Sequence, residues 1–466
     1  MDQQQIISKG NKMRVMPVGR LLFTMALPLA LSMLVQALYN VVDSLYVSRI
    51  SESAVTALSL AYPVQNLLIG FATGTAVGVN SLLSKSLGEN NRERANYTAG
   101  NGIFLIGIAV ILFMLFGIFG ARPYFDMQSD VPETIAGGTS YISLCCIFSI
   151  GIFTEILGER LLQASGRTIY TLFTQGTGSI LNIVLDPVFI FGVDFLGIPA
   201  MGITGAAIAT VLGQIVSGIM AVVFNLTKNK DISFRFHYMK PQSYVIKKIL
   251  TVGIPSIIMM AIGSVMTFGM NQIFLEFRDY GETAAGVFGV YFKLQSFFFM
   301  PLYGLNNATI SICAYNYGAR QPDRIKKTVK LAVGTALVVM TIGFLVFQIF
   351  PNQLLGLFEP SPQFLELGYS GLRIVSIHFP MAAIGVVLGA VFQSLGNGIY
   401  TTIMALCRQL LILLPAAYLL GKITGNIHSV WWSFPISEFI SMVMAICFFI
   451  RIYRKKIRPL YSAAKA

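Results

Sequence analysis

The stretch Gln163-Ala-Ser-Gly-Arg-Thr-Ile-Tyr170-Thr171 returns 230 residues later as Gln393-Ser-Leu-Gly-Asn-Gly-Ile-Tyr400-Thr401. Gln, Gly, Ile, Tyr and Thr recur in register. The same shift carries Gln65, Gly74, Gly88 and Arg94 onto Gln295, Gly304, Gly318 and Arg324. Pro28 falls on Pro255 at a shift of 227, so the first connection differs by about three residues. A duplicated unit is the first conclusion, and the flanking hydrophobicity says what is duplicated.

Apolar runs bounded by charge or by Gly, Pro and Asn clusters cover 21–46, 54–84, 97–121, 134–162, 168–192, 201–226, 245–276, 284–316, 325–350, 364–394, 400–421 and 428–451. About 20 apolar residues span a bilayer as helix. Of 466 residues, 55% are hydrophobic and 11% charged, with a mean hydropathy of +0.71. A soluble protein carries about 25% charged residues. The balance argues against a soluble enzyme, a disordered tail and a nucleic-acid binder. It predicts an all-α polytopic membrane protein of twelve transmembrane helices in two six-helix repeats. Six is even, so the repeats run parallel. The division is 1–226, a linker at 227–244, and 245–466. Pro28, Pro63, Pro187, Pro255, Pro301, Pro380, Pro415 and Pro435 fall inside runs and predict bends.

Charge orients these runs. With the amino terminus inside, the outer segments carry only Arg49, Arg122, Arg278 and Lys422. Lys293, Arg373 and Arg408 fall within spans, and every other Lys and Arg of the 33 lies on the inner side. Basic residues gather in cytoplasmic loops, so both termini are expected in the cytoplasm and the chain in the cell inner membrane. The net charge of +13 then reports topology and not an anionic partner. The first 20 residues lack the apolar core of a signal peptide. Cys145, Cys146, Cys313, Cys407 and Cys447 all lie in apolar runs and read as small buried hydrophobes.

The repeats carry a family pattern. It lies in Leu27-Pro28 through Tyr39-Asn40-Val-Val-Asp43-Ser44, and in Lys85-Ser-Leu-Gly-Glu-Asn-Asn-Arg-Glu-Arg94. It continues in Gln163-Ala-Ser-Gly166, Asn182-Ile-Val-Leu-Asp186-Pro187 and Tyr315-Asn-Tyr-Gly-Ala319. In these stretches the chain resembles the multidrug and toxic compound extrusion (MATE) family, closest to its MepA-like and DinF-like bacterial branches. The resemblance implies a secondary active exporter of bulky cationic or amphipathic compounds. It implies alternating access between two lobes, driven by inward H+ or Na+. No cofactor is expected, and no GxxxxGK[ST] loop is present. The expected partners are small-molecule substrates and the lipid bilayer, with no nucleic acid, and the expected state is a monomer.

Ionisable groups inside a membrane are costly, which makes them candidates for function. Asp43 and Asp186 lie far along inside-to-outside helices and reach the outer half of the bilayer. Asn182 sits one turn below Asp186, and Thr204 lies near the outer start of the sixth span. Two carboxylates, an amide and a hydroxyl suit a hard cation such as Na+. Two close carboxylates can instead share a proton. By resemblance to DinF-like proteins, Asp43, Asn182, Asp186 and Thr204 match an amino-lobe cation site one by one. The plainer reading has Asp43 and Asp186 capping bent helices or hydrogen-bonding neighbours. No structural metal is expected.

The second half departs from the first. Met270 or a neighbour lies opposite Asp43, and the acids of NorM-like relatives are not apparent. Coupling is therefore expected in the first half. Gln36, Tyr39, Asn40, Gln65, Asn66, Met266, Met270, Phe292 and Lys293 are candidate cavity liners, each also compatible with ordinary packing. Lys293 reads equally as a snorkelling lysine. Glu155 and Glu159 beside Arg160 suggest a structural ion pair. Glu438 reads either as a cavity acid or as a buried hydrogen-bonded glutamate. A lipid-linked saccharide flippase of the same architecture is the alternative, and it would need a more basic cavity. A membrane enzyme would need a convergent catalytic set, and His237, His378 and His428 share no motif.

Overall fold

The computed structural model describes residues 11–193, 197–277, 280–358 and 361–463. The side chains of Asn40, Val41, Ser44, Leu45, Ser48, Glu52, Glu282 and Ala463 lie outside what it describes. The first half comprises α1 (Val18–Ser48), α2 (Glu52–Gly88) and α3 (Arg92–Leu115, continued by a π turn at Phe116–Gly120 and by Ala121–Asp126). Next come α4 (Pro132–Ile147 and Ile150–Ala164), α5 (Ile169–Phe191) and α6 (Gly202–Lys228). The second half comprises α7 (Ser243–Leu275), α8 (Gly281–Gly318), α9 (Pro322–Ile349) and α10 (Pro362–Ser376 and Phe379–Ser394). It ends with α11 (Gly398–Leu406, a π turn at Cys407–Leu413, then Leu414–Thr424) and α12 (Ser433–Ile452).

Local chemistry sets the ends. Ser51 caps α2 by accepting from the Ala54 N–H at 3.1 Å, and Asn91 caps α3 by accepting from Arg94 N–H at 2.9 Å. Pro132, Pro322 and Pro362 open their helices, where no N–H is needed. Gly425, left-handed at φ 62°, closes α11.

Among the described residues, nine helices are long and apolar enough to cross a membrane, and eleven when α4 and α10 each count once. The expected span 168–192 does form α5, but α5 is not among them. Its buried face carries Thr171, Thr174, Gln175, Ser179, Asn182 and Asp186. Large apolar side chains such as Phe23, Phe119, Ile180, Phe268 and Val338 stand exposed on the periphery. That suits a lipid-facing surface.

Of the eight prolines inside the expected runs, Pro380 lies at a sharp bend, where it opens the second segment of α10. Pro28, Pro63, Pro187, Pro255 and Pro301 sit inside helices that continue through them. The sharp bends are 46° in α4 and 47° in α10. At the second, His378 Nδ1 lies 2.6 Å from the Val375 carbonyl, which also accepts from the His378 backbone N–H at 3.1 Å. The expected linker is also shorter and more fixed than its composition suggested. Residues 227–228 belong to α6 and 243–244 to α7. Between them, Ser233 N–H donates to Asn96 Oδ1 at 2.8 Å, and Gln242 N–H to Asn101 Oδ1 at 2.8 Å. Asp231 pairs with Arg167 at 2.5 Å. The segment is strapped to α3.

The repeat is visible in the backbone. Asn90 and Arg320 are left-handed at φ 56° and 54°, and Gly166 and Gly396 at 79° and 73°. The halves meet through equivalent glycines. A methyl on Gly88 would strike the Tyr315 carbonyl, and one on Gly318 the Lys85 carbonyl. A methyl on Gly74 would lie 2.9 Å from Ile257 N, and one on Gly304 2.5 Å from Ala30 N. Glycine is required at these positions because two helix backbones touch there. Ser311 donates to Asn80 Oδ1 at 3.1 Å, and Ser81 to the Gln393 carbonyl at 2.8 Å. Arg324 Nη2 reaches the Met13 and Met16 carbonyls, both at 2.8 Å. These contacts cluster toward the end of the molecule that carries the basic loops.

Three of the five free cysteines, Cys145, Cys146 and Cys313, are buried as expected. Cys407 is half-buried and Cys447 exposed, because its face of α12 points outward.

Candidate ion-coupling site

α1 and α5 lie against each other and bring two of the expected acids together. Asp186 is fully buried and Asp43 half-buried. Their carboxyl groups lie within interaction range of one another. A hydrogen bond between them requires a proton on one of the two, since two carboxylates offer acceptors only. Asp43 Oδ1 is a buried oxygen with no partner among the described residues. Asn182, one turn before Asp186, satisfies both neighbours in one amide orientation. Its Nδ2 then donates to Asp186 Oδ2 at 2.9 Å. Its Oδ1 accepts from the Thr210 backbone N–H at 3.0 Å and from the Thr210 hydroxyl at 3.3 Å.

The threonine that joins this set is Thr210 and not Thr204. Thr204 is half-buried and makes no hydrogen bond among the described residues. The reason is depth. Asn182 lies nine residues from the outer end of α5, and Thr210 eight residues into α6, about 12 Å along each axis. Thr204 stands nearly two turns too close to the helix start. Residue counts from the facing helix ends give Thr210 the matching depth, and the rotation of α6 turns it toward Asn182.

Tyr39, expected as a cavity liner, belongs to the same cluster. Thr210, Asp43 and Asp186 all lie within interaction range of its hydroxyl. Gln36, one turn earlier, accepts from Gln175 Nε2 at 3.1 Å. The side chain of Asn40 lies outside the described residues. Gln65 donates to the Tyr141 hydroxyl at 2.8 Å, tying α2 to α4. Asn66 donates to Ser264 at 3.2 Å, crossing from one half to the other. Met266 and Met270 are buried in the core. Phe292 packs edge-on against Phe288 at 4.7 Å. Lys293 is exposed one residue further along α8.

The expected Glu155–Glu159–Arg160 ion pair does not form among the described residues. Glu159 Oε1 instead accepts from Thr174 at 2.8 Å, and Arg160 donates to Gln163 Oε1 at 3.0 Å. Adjacent positions on a helix point apart, so Arg160 turns away from Glu159. Arg373 lies at the surface, on the Tyr369 ring and hydroxyl. Glu438 pairs with Arg408 at 2.9 Å, which resolves its two readings in favour of a buried, hydrogen-bonded acid. His237, His378 and His428 lie apart, and no cluster of three metal-ligating residues occurs among the described residues.

The MatE family model matches residues 28–188 and 255–419, one segment in each half. The chain belongs to the MATE family. It is similar to the multidrug export protein MepA of Staphylococcus haemolyticus (strain JCSC1435), at 23% identity over 429 residues, covering 90% of this chain and 91% of that one. MepA of Staphylococcus aureus (strain MSSA476) is also 23% identical, over 438 residues, covering 92% and 93%. Among solved structures, a MATE crystallised in complex with MaL6 superposes with a TM-score of 0.90 at 24% identity, covering 97% of this chain and 99% of that one. An outward-facing multidrug resistance MATE transporter of the MOP superfamily gives 0.88 at 23% identity, with the same coverage. This MATE chain is thus a multi-pass membrane transporter of the MepA-like branch, and not an enzyme. Transporters of this family need no cofactor. The relatives do not favour the flippase alternative.

Proposed function

We propose that this MATE protein is a secondary active multidrug exporter. It moves bulky cationic or amphipathic compounds outward against inward H+, by alternating access between residues 1–226 and 245–466. Both termini face the cytoplasm, α5 is the twelfth span, and the protein works as a monomer in the cell inner membrane. The distribution of basic residues supports the orientation. The polar face of α5 is buried against α1 and α6, which supports a span that hydropathy alone passes over.

The observation that carries coupling is the close approach of Asp43 and Asp186, brought together by the packing of α1 on α5. Two carboxyl groups placed this close can share one proton, which supports H+ over Na+ as the coupling ion. Loss of the proton leaves two negative charges in contact, which repel. Asp43 then moves from Asp186, and α1 with it. Because α1 abuts Gly304 of α8, movement of α1 reaches the seam between the halves.

Efflux from proteoliposomes under a proton gradient and a sodium gradient, imposed separately, tests this. A proton gradient is expected to drive efflux, and Asp186→Asn to abolish it. Unchanged gradient-driven efflux in Asp186→Asn would sink the coupling role, and efflux under sodium alone would replace H+ with Na+.

A further inference from the structure

The second half holds a buried ion pair that the coupling site leaves unused. Arg408 lies in the π turn Cys407–Leu413 of α11. Single π turns inside α-helices recur at functional sites. Its Nη1 donates to Glu438 Oε2 of α12 at 2.9 Å. An arginine offers five N–H donors. Among the described residues this is the only hydrogen bond that Arg408 makes. The Glu438 side chain is 6% exposed, whereas that of Arg408 is 29% exposed. The acid is sealed, and the open side of the pair is the base.

The surroundings say where that open side points. Tyr291 and Tyr303 of α8 lie within electrostatic reach of Arg408, as does His378 at the α10 bend. With Glu438, groups from three other helices, α8, α10 and α12, surround the guanidinium, so its accessible part faces the interior and not lipid. Tyr303 is 43% exposed, and its hydroxyl makes no hydrogen bond among the described residues. Its neighbour Gly304 touches Leu29 and Ala30 of α1. The free donors therefore stand beside the seam between the halves, where alternating access places substrate. Unpaired guanidinium donors in a low-dielectric interior are costly and demand acceptors.

We propose that Arg408, with the Tyr303 hydroxyl, docks an acceptor group of the transported compound, specifically a carboxylate. The favoured substrates are then zwitterionic amphiphiles, preferred over the corresponding esters. This rests on the export reading above. A planar guanidinium binds carboxylate through two parallel N–H bonds, and Arg408 has the donors for them on its open side. Glu438 holds the guanidinium in place and, as a carboxylate, also competes with the ligand for it.

The test is equilibrium binding to the purified full-length chain in lipid nanodiscs, read by fluorescence anisotropy. The probes are a xanthene dye with a free benzoate and the methyl ester of the same dye. Wild type is expected to bind the acid more tightly. Arg408→Gln combined with Glu438→Gln, which removes both charges, is expected to weaken acid binding about tenfold and ester binding less than about twofold. Glu438→Gln alone is expected to strengthen acid binding, because Arg408 loses its competing partner. A wild type that binds neither dye, or both alike, overturns the proposal. So does a double variant that weakens both equally, or an unchanged acid affinity in Glu438→Gln, which decides the matter where the double variant does not fold. Binding needs no ion gradient. Loss of gradient-driven efflux therefore counts against the export reading alone, and loss of the acid preference against this one alone.

Discussion

Asp43 and Asp186 face one another in the first half, while Arg408 and Glu438 form an ion pair in the second. The frames around them are alike. Gly88 and Gly318 make mirrored backbone contacts, Asn90 and Arg320 share one unusual φ, and α4 and α10 bend by nearly the same angle. The contents have diverged. Position 43 is an acid and its counterpart Met270 is core, fully buried. Arg408 falls opposite Gly178, and Glu438 opposite Ile208. Duplication preserved the positions where backbones touch, since no side chain fits there. It left polar positions free to change. Under the proposed function, the first half became a site that exchanges a cation, and the second a site of fixed charge.

The largest expected effect tests that division. Asp43→Asn should reduce gradient-driven efflux about tenfold or more, as Asp186→Asn should. The double variant should be no worse than either, since the two acids act as one unit. Multiplied losses in the double variant would show two independent sites.

The seam comes next. Gly88→Ala and Gly318→Ala should each lower stability by about 1–3 kcal/mol, because a backbone carbonyl has to move. Thermal unfolding in detergent reads both. Matched losses sharpen the equivalence of the halves, and a loss at one position only breaks it.

The arginines that follow α2 and α8 should differ. Arg94 and Arg324 each donate Nε to the residue eight positions back, Ser86 and Asn316. Arg94 then pairs with Glu89 nearby, whereas Arg324 crosses to Met13 and Met16. Arg324→Ala should cost about 2 kcal/mol and expose the segment around Met13 to proteolysis. Arg94→Ala should cost about 1 kcal/mol or less, as partly exposed ion pairs do. Equal effects would mean that the crossing bonds contribute nothing.

The smallest effect is a pH dependence at the amino terminus. Burial, with Arg167 nearby, lowers the Lys12 ammonium from 10.5 to about 8. In the unfolded chain Lys12 binds its proton up to the higher value. Between the two, the unfolded state holds more protons, so stability rises with pH above about 8. The slope there is at most about 1.4 kcal/mol per pH unit, and it vanishes below the folded value. Lys12→Met should flatten it. A slope that persists in Lys12→Met would assign it to another group.

Much of the fold was legible because hydrophobicity and charge are local properties. The runs at 21–46 and 54–84, for example, became α1 and α2 with ends moved by a few residues. The prolines misled in part: Pro28 and Pro255 sit in continuous helix, whereas Pro380 opens the helix just after the bend at His378. The bend at Phe148–Ser149 carries no breaker signal of that kind. At the site, Asp43, Asn182 and Asp186 were visible as polar groups in apolar runs. Thr210 was not, because a threonine in a membrane helix is common and only the rotation of α6 against α5 selects it. The Arg408–Glu438 pair is 30 residues apart on two helices, and no spacing rule joins them.

The sequence alone determined a duplicated, membrane-spanning helical chain and the acids at Asp43 and Asp186. Hydropathy, charge asymmetry and a 230-residue repeat are written along the chain and need no contacts to be read. Only the tertiary structure decided which polar groups meet. Helix rotation and depth bring Thr210 to Asn182 and leave Thr204 apart. The same packing closes α12 on α11, which seals Glu438 against Arg408 and leaves the guanidinium open toward the seam. A side chain's sequence position states what it can bond, and the packing of its helix states what it does bond.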